Sequence, residues 1–221
     1  MKKLFIFINR SILLLILLYS SFAVCQDIKL KAIDKLLKES NKKHTEYKDL
    51  EELQIAKKAN ILSKNIGDEK RIAESSYIIS RALSCLELQK QSLAFVQKTF
   101  DLHYIQKDVL LRAKLKEIKS YNFYVLSLKS QSSHELRSIV NLLKEKKDTA
   151  SIHVLARIYG NIGNQYFDKN QLDSAFFYYK LGNNLIKKFN EKEIYRTLCE
   201  NYVAVGNAFS KKKSFDSALY Y

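Results

Sequence analysis

The chain has 221 residues, no Pro, no Trp, only 5 Gly and a formal charge of +15. Turn-rich β architectures draw on Gly and Pro, so this composition sets them aside and predicts an all-α protein. A strongly basic balance can mark a nucleic-acid binder. Here the lysines are spread along the chain, which reads as solvated helix surface, and no nucleic acid is expected.

Residues 1–25 read as a secretory signal peptide. Lys2 and Lys3 give a basic start, and Arg10 precedes an apolar run from Ile12 to Tyr19. Ser20-Ser21-Phe22-Ala23-Val24-Cys25-Gln26 follows, with Ala23 and Cys25 at the two small positions before a cut. Two alternatives stay open. One is an uncleaved membrane anchor, for which the apolar run is short. The other is a lipoprotein signal acylated on Cys25, for which Phe22 and Val24 are off-pattern. Export places the chain in the periplasm or at the membrane, reached only through this segment.

Residues 26–66 are expected to form N-terminal helices, a degenerate or capping repeat. The first spans 27–40, with Leu30, Ile33, Leu36 and Leu37 on one side, and breaks at Asn41-Lys42-Lys43-His44. The second carries Tyr47, Leu50, Leu53, Ala56, Ala59 and Leu62 at three-residue steps and stops near Gly67.

From 67 to 221 helical hairpins are predicted. Lys70–Leu86 pairs with Gln91–Tyr104, and Val109–Leu128 with Ser133–Glu145. Ile152–Asp168 pairs with Leu172–Lys188, and Glu193–Ser210 with Phe215–Tyr221, the last incomplete. Short polar breaks between amphipathic helices are what antiparallel αα-hairpins need. Cys85 and Cys199 read as small buried apolar residues, without the spacing of a zinc or dithiol motif.

The end of the chain repeats itself. Tyr159, Gly163, Asn164, Lys169, Asp173, Ser174, Ala175 and Tyr178 recur as Tyr202, Gly206, Asn207, Lys212, Asp216, Ser217, Ala218 and Tyr221, at one offset of 43. A fixed period of this size marks an α-solenoid, in which each unit buries its apolar face against its neighbours. Earlier units align through Ala94 and Leu136, with spacings of 42 and 39.

These residues resemble tetratricopeptide repeats, the TPR family. Tyr159, Ile162-Gly163, Tyr166, Asn170, Ala175, Tyr179 and Gly182 follow that family's order of large, small and aromatic residues. Tyr202, Val205-Gly206, Phe209, Lys213 and Ala218 follow it again. Gly163 and Ala175 would let two helices approach, with the aromatics filling the space beside them. The period exceeds the family's 34 residues, the closing Pro is missing, and Lys213 stands where the turn prefers Gly. The likeness is carried by 150–221, less by 55–105 and least by 106–149.

The resemblance implies a superhelix of antiparallel hairpins that binds a protein or peptide partner along its concave face. It also implies a particular context, the exported sensing region of a bacterial signal-transduction or transcription-regulator protein, here without its output domain. An envelope-assembly lipoprotein or adaptor is the alternative, and a basic nucleic-acid-binding solenoid a more distant one. Self-association through the incomplete last repeat is a further expectation.

Arg157, Asn161, Asn164 and Asp168 follow at steps of four, three and four, so they share one helix face. Asn207 repeats Asn164. Such side chains suit the amides or carboxylate of an extended peptide, although polar residues on helices are more often simply solvated. Gly160 stands where the carboxylate clamp of chaperone-tail-binding TPR domains has a Lys, so C-terminal capture is not implied. His44, His103, His134 and His153 are scattered without ligand spacing, and no catalytic constellation is evident. No enzyme, cofactor or metal is expected.

Overall fold

The computed structural model describes residues 26–187, 189 and 192–220, with backbone alone over 192–196. The proposed leader, Cys25 and Tyr221 lie outside them. The described residues are all-helical: α1 (26–45), α2 (Asp49–Ile66), α3 (Glu69–Cys85), α4 (Gln89–Phe100), α5 (His103–Lys107), α6 (Val109–Val125), α7 (Lys129–Leu143), α8 (Thr149–Asp168), α9 (Leu172–Ile186), α10 (Lys192–Lys211) and α11 (Phe215–Tyr220). The chain divides into two compact units, the first reaching to Leu86 and the second beginning at Glu87.

Helix boundaries follow a rhythm in the backbone. Tyr47, Glu87, Ser127, Asn170 and Lys213 all have φ near +60°, the left-handed conformation that ends a helix. They stand 40, 40, 43 and 43 residues apart. After four of them, an N–H reaches back five residues: Lys48 to Lys43 O, Leu128 to Phe123 O, Gln171 to Tyr166 O and Ser214 to Phe209 O, at 2.8–3.0 Å. That is the wider bond of a Schellman cap. Asp68, Asp108 and Asp148, also 40 apart, accept from Arg71 N, Leu111 N and Ser151 N at 2.8–2.9 Å. Each caps the start of the next helix. The three extra residues of the later period sit in one kind of helix. α3 and α6 have 17 residues, whereas α8 and α10 have 20.

Small residues, with Glu52 the exception, keep the same frame. Seven residues before each left-handed turn stand Ser40, Ser80, Ser120, Gly163 and Gly206. Five residues after it stand Glu52, Ser92, Ser132, Ala175 and Ala218. All but Gly206 and Ala218 are buried. Ser40 and Ser120 donate across their hairpins to Glu52 O and Ser132 O at 2.9 and 3.0 Å. This frame corrects the alignment through Ala94 and Leu136, since Ala94 is exposed and Leu136 belongs to the core.

In the first unit, Glu52 meets Arg81 while Asn60 meets Ser75 and Ser76. As one partner's number rises the other's falls, so α2 and α3 run antiparallel. The buried side of α2 is Leu53, Ala56, Ala59, Asn60 and Ser63, whereas Leu50 and Leu62 are exposed. Three-residue steps drift around a helix of 3.6 residues per turn, so the ends of that stripe leave the buried face. α1 does not break at 41–44 but continues to 45.

In the second unit, Lys116 meets Glu135 and Ser120 meets Ser132, so α6 and α7 are antiparallel. Ala156 O faces Gly182 while Gly163 faces Tyr179, so α8 and α9 are too. The cores lie between hairpins. Ala113, Leu136, Ile139, Leu143, Val154, Leu155 and Ile158 join α6, α7 and α8. Ala175, Tyr179, Val205 and Ala208 join α9 and α10. α5, absent from the sequence reading, is a five-residue turn before Asp108. Cys85 and Cys199 are both exposed, not buried.

Candidate partner-binding groove

The second unit holds an open cavity of about 350 Å³ between the α6–α7 hairpin and α8. Ser120, Tyr121, Tyr124, Ser132 and Leu136 form one wall, and Asn161, Asn164, Gln165, Phe167 and Asp168 the other. Three of the five residues expected in a groove, Asn161, Asn164 and Asp168, therefore meet in one place. Their helical spacing accounts for it, since steps of three and four keep them on one face of α8.

Packing fixes much of this surface. Asn164 Oδ1 accepts from the Tyr179 hydroxyl at 2.7 Å. The Tyr179 ring is buried, which raises its hydroxyl pKa. Gln165 donates from Nε2 to Ser132 Oγ at 2.8 Å, and its Oε1 accepts from Ser133 at 2.5 Å. Tyr124 donates to Asp168 Oδ2. That bond and then burial push the Tyr124 hydroxyl up to about 12. Asn161 makes no side-chain hydrogen bond among the described residues, and Tyr121 is 55% exposed. The cavity thus has a pinned floor and two side chains, Asn161 and Tyr121, open to a ligand.

Arg157 and Asn207 lie elsewhere. The Arg157 guanidinium donates to both carboxylate oxygens of Glu117 on α6, Nε to Oε1 at 2.7 Å and Nη2 to Oε2 at 2.5 Å. Its role in the structure is to brace neighbouring helices. Asn207 lines a separate cavity of about 490 Å³ with Val203, Gly206, Ser210, Phe215, Ala218 and Leu219.

The packing residues read from the sequence divide in the same way. Tyr159, Tyr166 and Tyr178 form a ring cluster, with centroids 6.1 and 5.3 Å apart. Gly163, Ala175 and Tyr179 are buried in the α8–α9 hairpin. Phe209 packs on Phe176 at 4.3 Å, while Tyr202 is 37% exposed. Sequence reasoning missed Ser120, Tyr121, Tyr124, Ser132 and Gln165. Ser120 and Ser132 were within reach: they are 12 apart, as Gly163 and Ala175 are.

No protein-family model matches the chain, and no curated protein matches it. Among solved structures it is similar to BtubC (BKLC) from P. vanneervenii. The TM-score is 0.63 at 11% identity, over 81% of this chain and 72% of that one. At that identity the likeness is one of helical fold. Among the described residues, no helix is long and apolar enough to cross a membrane.

Proposed function

We propose that the chain is a TPR-like α-solenoid and works as a non-catalytic protein-interaction scaffold. Its groove takes an extended peptide or a protein segment. The observation that supports this is the α6–α7–α8 cavity, where Asn161 and Tyr121 stand open above a floor of engaged amides and hydroxyls. An amide can donate to and accept from a peptide backbone, and a tyrosine adds contact area at little entropic cost. The leader read from residues 1–25 completes the proposal: an exported region of a bacterial signalling or regulator protein, periplasmic or membrane-associated.

Panning a random peptide library on the wild-type chain, with counter-selection on Tyr121→Ala/Asn161→Ala, tests the groove. Tyr121 is exposed and Asn161 half-buried, so both forms should fold alike. Enriched peptides should bind the variant at least about 10-fold more weakly, the scale of a lost central contact. Peptides that bind both forms equally would remove this cavity from the proposal.

A further inference from the structure

His44, Asp49 and Cys85 each offer a ligand atom, and these atoms lie within 4.8 Å of one another. His44 is in the last turn of α1, Asp49 opens α2 and Cys85 closes α3. They stand 5 and 36 residues apart, a spacing no metal motif covers, so the fold alone assembles them.

Their place in the repeat frame recurs. His44 precedes the left-handed turn residue Tyr47 by three, and Cys85 precedes Glu87 by two. Tyr124 and Asp168 hold those two places around Ser127 and Asn170, and they are hydrogen-bonded. Phe167 and Lys211 hold them around Asn170 and Lys213, with the ammonium 4.5 Å from the ring centroid. In these three places one repeat of the frame meets the next, and the chemistry differs in each.

In the first unit that chemistry is imidazole, carboxylate and thiol, a donor set suited to zinc. His44 is supported from behind. Its Nδ1 lies 3.1 Å from Oε2 of Glu52, a carboxylate that is wholly buried and is also gripped by Arg81. A carboxylate on one ring nitrogen is the usual support of a metal-binding histidine. In the tautomer that donates from Nδ1 to Glu52, Nε2 carries the free lone pair. Cys85 is exposed as a residue, yet its sulfur is closely flanked. The imidazole of His44 and the carboxylate of Asp49 stand beside it.

We propose that His44, Asp49 and Cys85 bind a thiophilic divalent cation of the zinc class, which ties the ends of α1, α2 and α3 together. Ligand atoms around tetrahedral zinc sit about 3.5 Å apart, so small side-chain rotations close the site. Three protein ligands leave the fourth position to water. On binding, the Cys85 S–H proton leaves to solvent and the sulfur lone pair goes to the ion.

The test is titration of the reduced full chain with Co²⁺, a spectroscopic stand-in for zinc. One equivalent should give a thiolate-to-cobalt charge-transfer band and tetrahedral d–d bands, both erased by Zn²⁺. Cys199→Ser should keep the spectrum. Cys85→Ser should lose the charge-transfer band and weaken binding by more than about 100-fold, the upper end of what loss of a mere supporting contact costs. Asp49→Asn should weaken binding with the band retained, and circular dichroism checks that both variants fold. The site is ruled out if one equivalent gives no charge-transfer band, or if the band survives Cys85→Ser.

Discussion

The α8–α9 and α10–α11 hairpins are spelled alike and packed differently. Ala175 is fully buried, whereas its counterpart Ala218 is half-exposed. Phe176 packs on Phe209, whereas Leu219, the residue matching Phe176, is 86% exposed. Gly163 faces the Tyr179 ring, whereas Gly206 lines an open cavity. No residue of α11 is buried. The same letters therefore carry different energies. A repeat folds its own helices, but α10 is what completes the core over α9.

The largest consequence is in local stability. α11 has 6 residues, too few to persist without packing. Its amides should exchange at least about 100-fold faster than those of 172–186. Equal protection of the two segments would remove the contrast between the hairpins.

The next is a change of sign. A Cβ at Gly163 would lie 2.5 Å from Cε1 of Tyr179, whose ring is buried and whose hydroxyl is held by Asn164. Gly163→Ala should destabilise by about 1–3 kcal/mol through overpacking. Gly206→Ala has an open cavity beside it and should be neutral, or stabilising by up to about 1 kcal/mol through helix propensity. Chemical denaturation of the two variants measures both, and a shared sign would contradict the packing difference.

The smallest effect compares Tyr124–Asp168 with Phe167–Lys211, the same two places in successive turns. Lys211 also donates to Phe167 O at 3.3 Å. The Tyr124 hydroxyl is raised from its ordinary 10.0 to about 12. The folded chain favours the neutral phenol, so this pair's contribution is complete below pH 10 and disappears as pH rises from about 10 through about 12. The pair is largely solvated, which limits it to a few tenths of a kcal/mol. The stability difference between wild type and Tyr124→Phe should shrink over that window. A difference that stays constant across it would mean that the bond to Asp168 contributes nothing.

The sequence made the helical class and the last two units readable because Gly, Ala and Tyr mark them at one offset. The earlier units were harder for two physical reasons. Their period is 40 rather than 43, since α3 and α6 lack the three residues added to α8 and α10. Their small positions carry serine, and in the first unit Glu52, a buried carboxylate held by Arg81 and His44. The groove was half legible for a similar reason. Helical spacing places Asn161, Asn164 and Asp168 on one face, but it cannot say that Tyr121 and Tyr124 stand opposite. Nor could it show that Arg157 is already engaged by Glu117.

The left-handed turns have a consequence for how this protein could be improved. Five of them hold a residue with a β-carbon: Tyr47, Glu87, Ser127, Asn170 and Lys213. All but asparagine pay about 1 kcal/mol or more for that conformation. Glycine at Glu87, Ser127 and Lys213, all three exposed, would relieve the penalty and leave the backbone bonds around each turn in place. The molecule therefore carries thermal headroom that its sequence leaves unused, spread at regular intervals and open to piecemeal engineering.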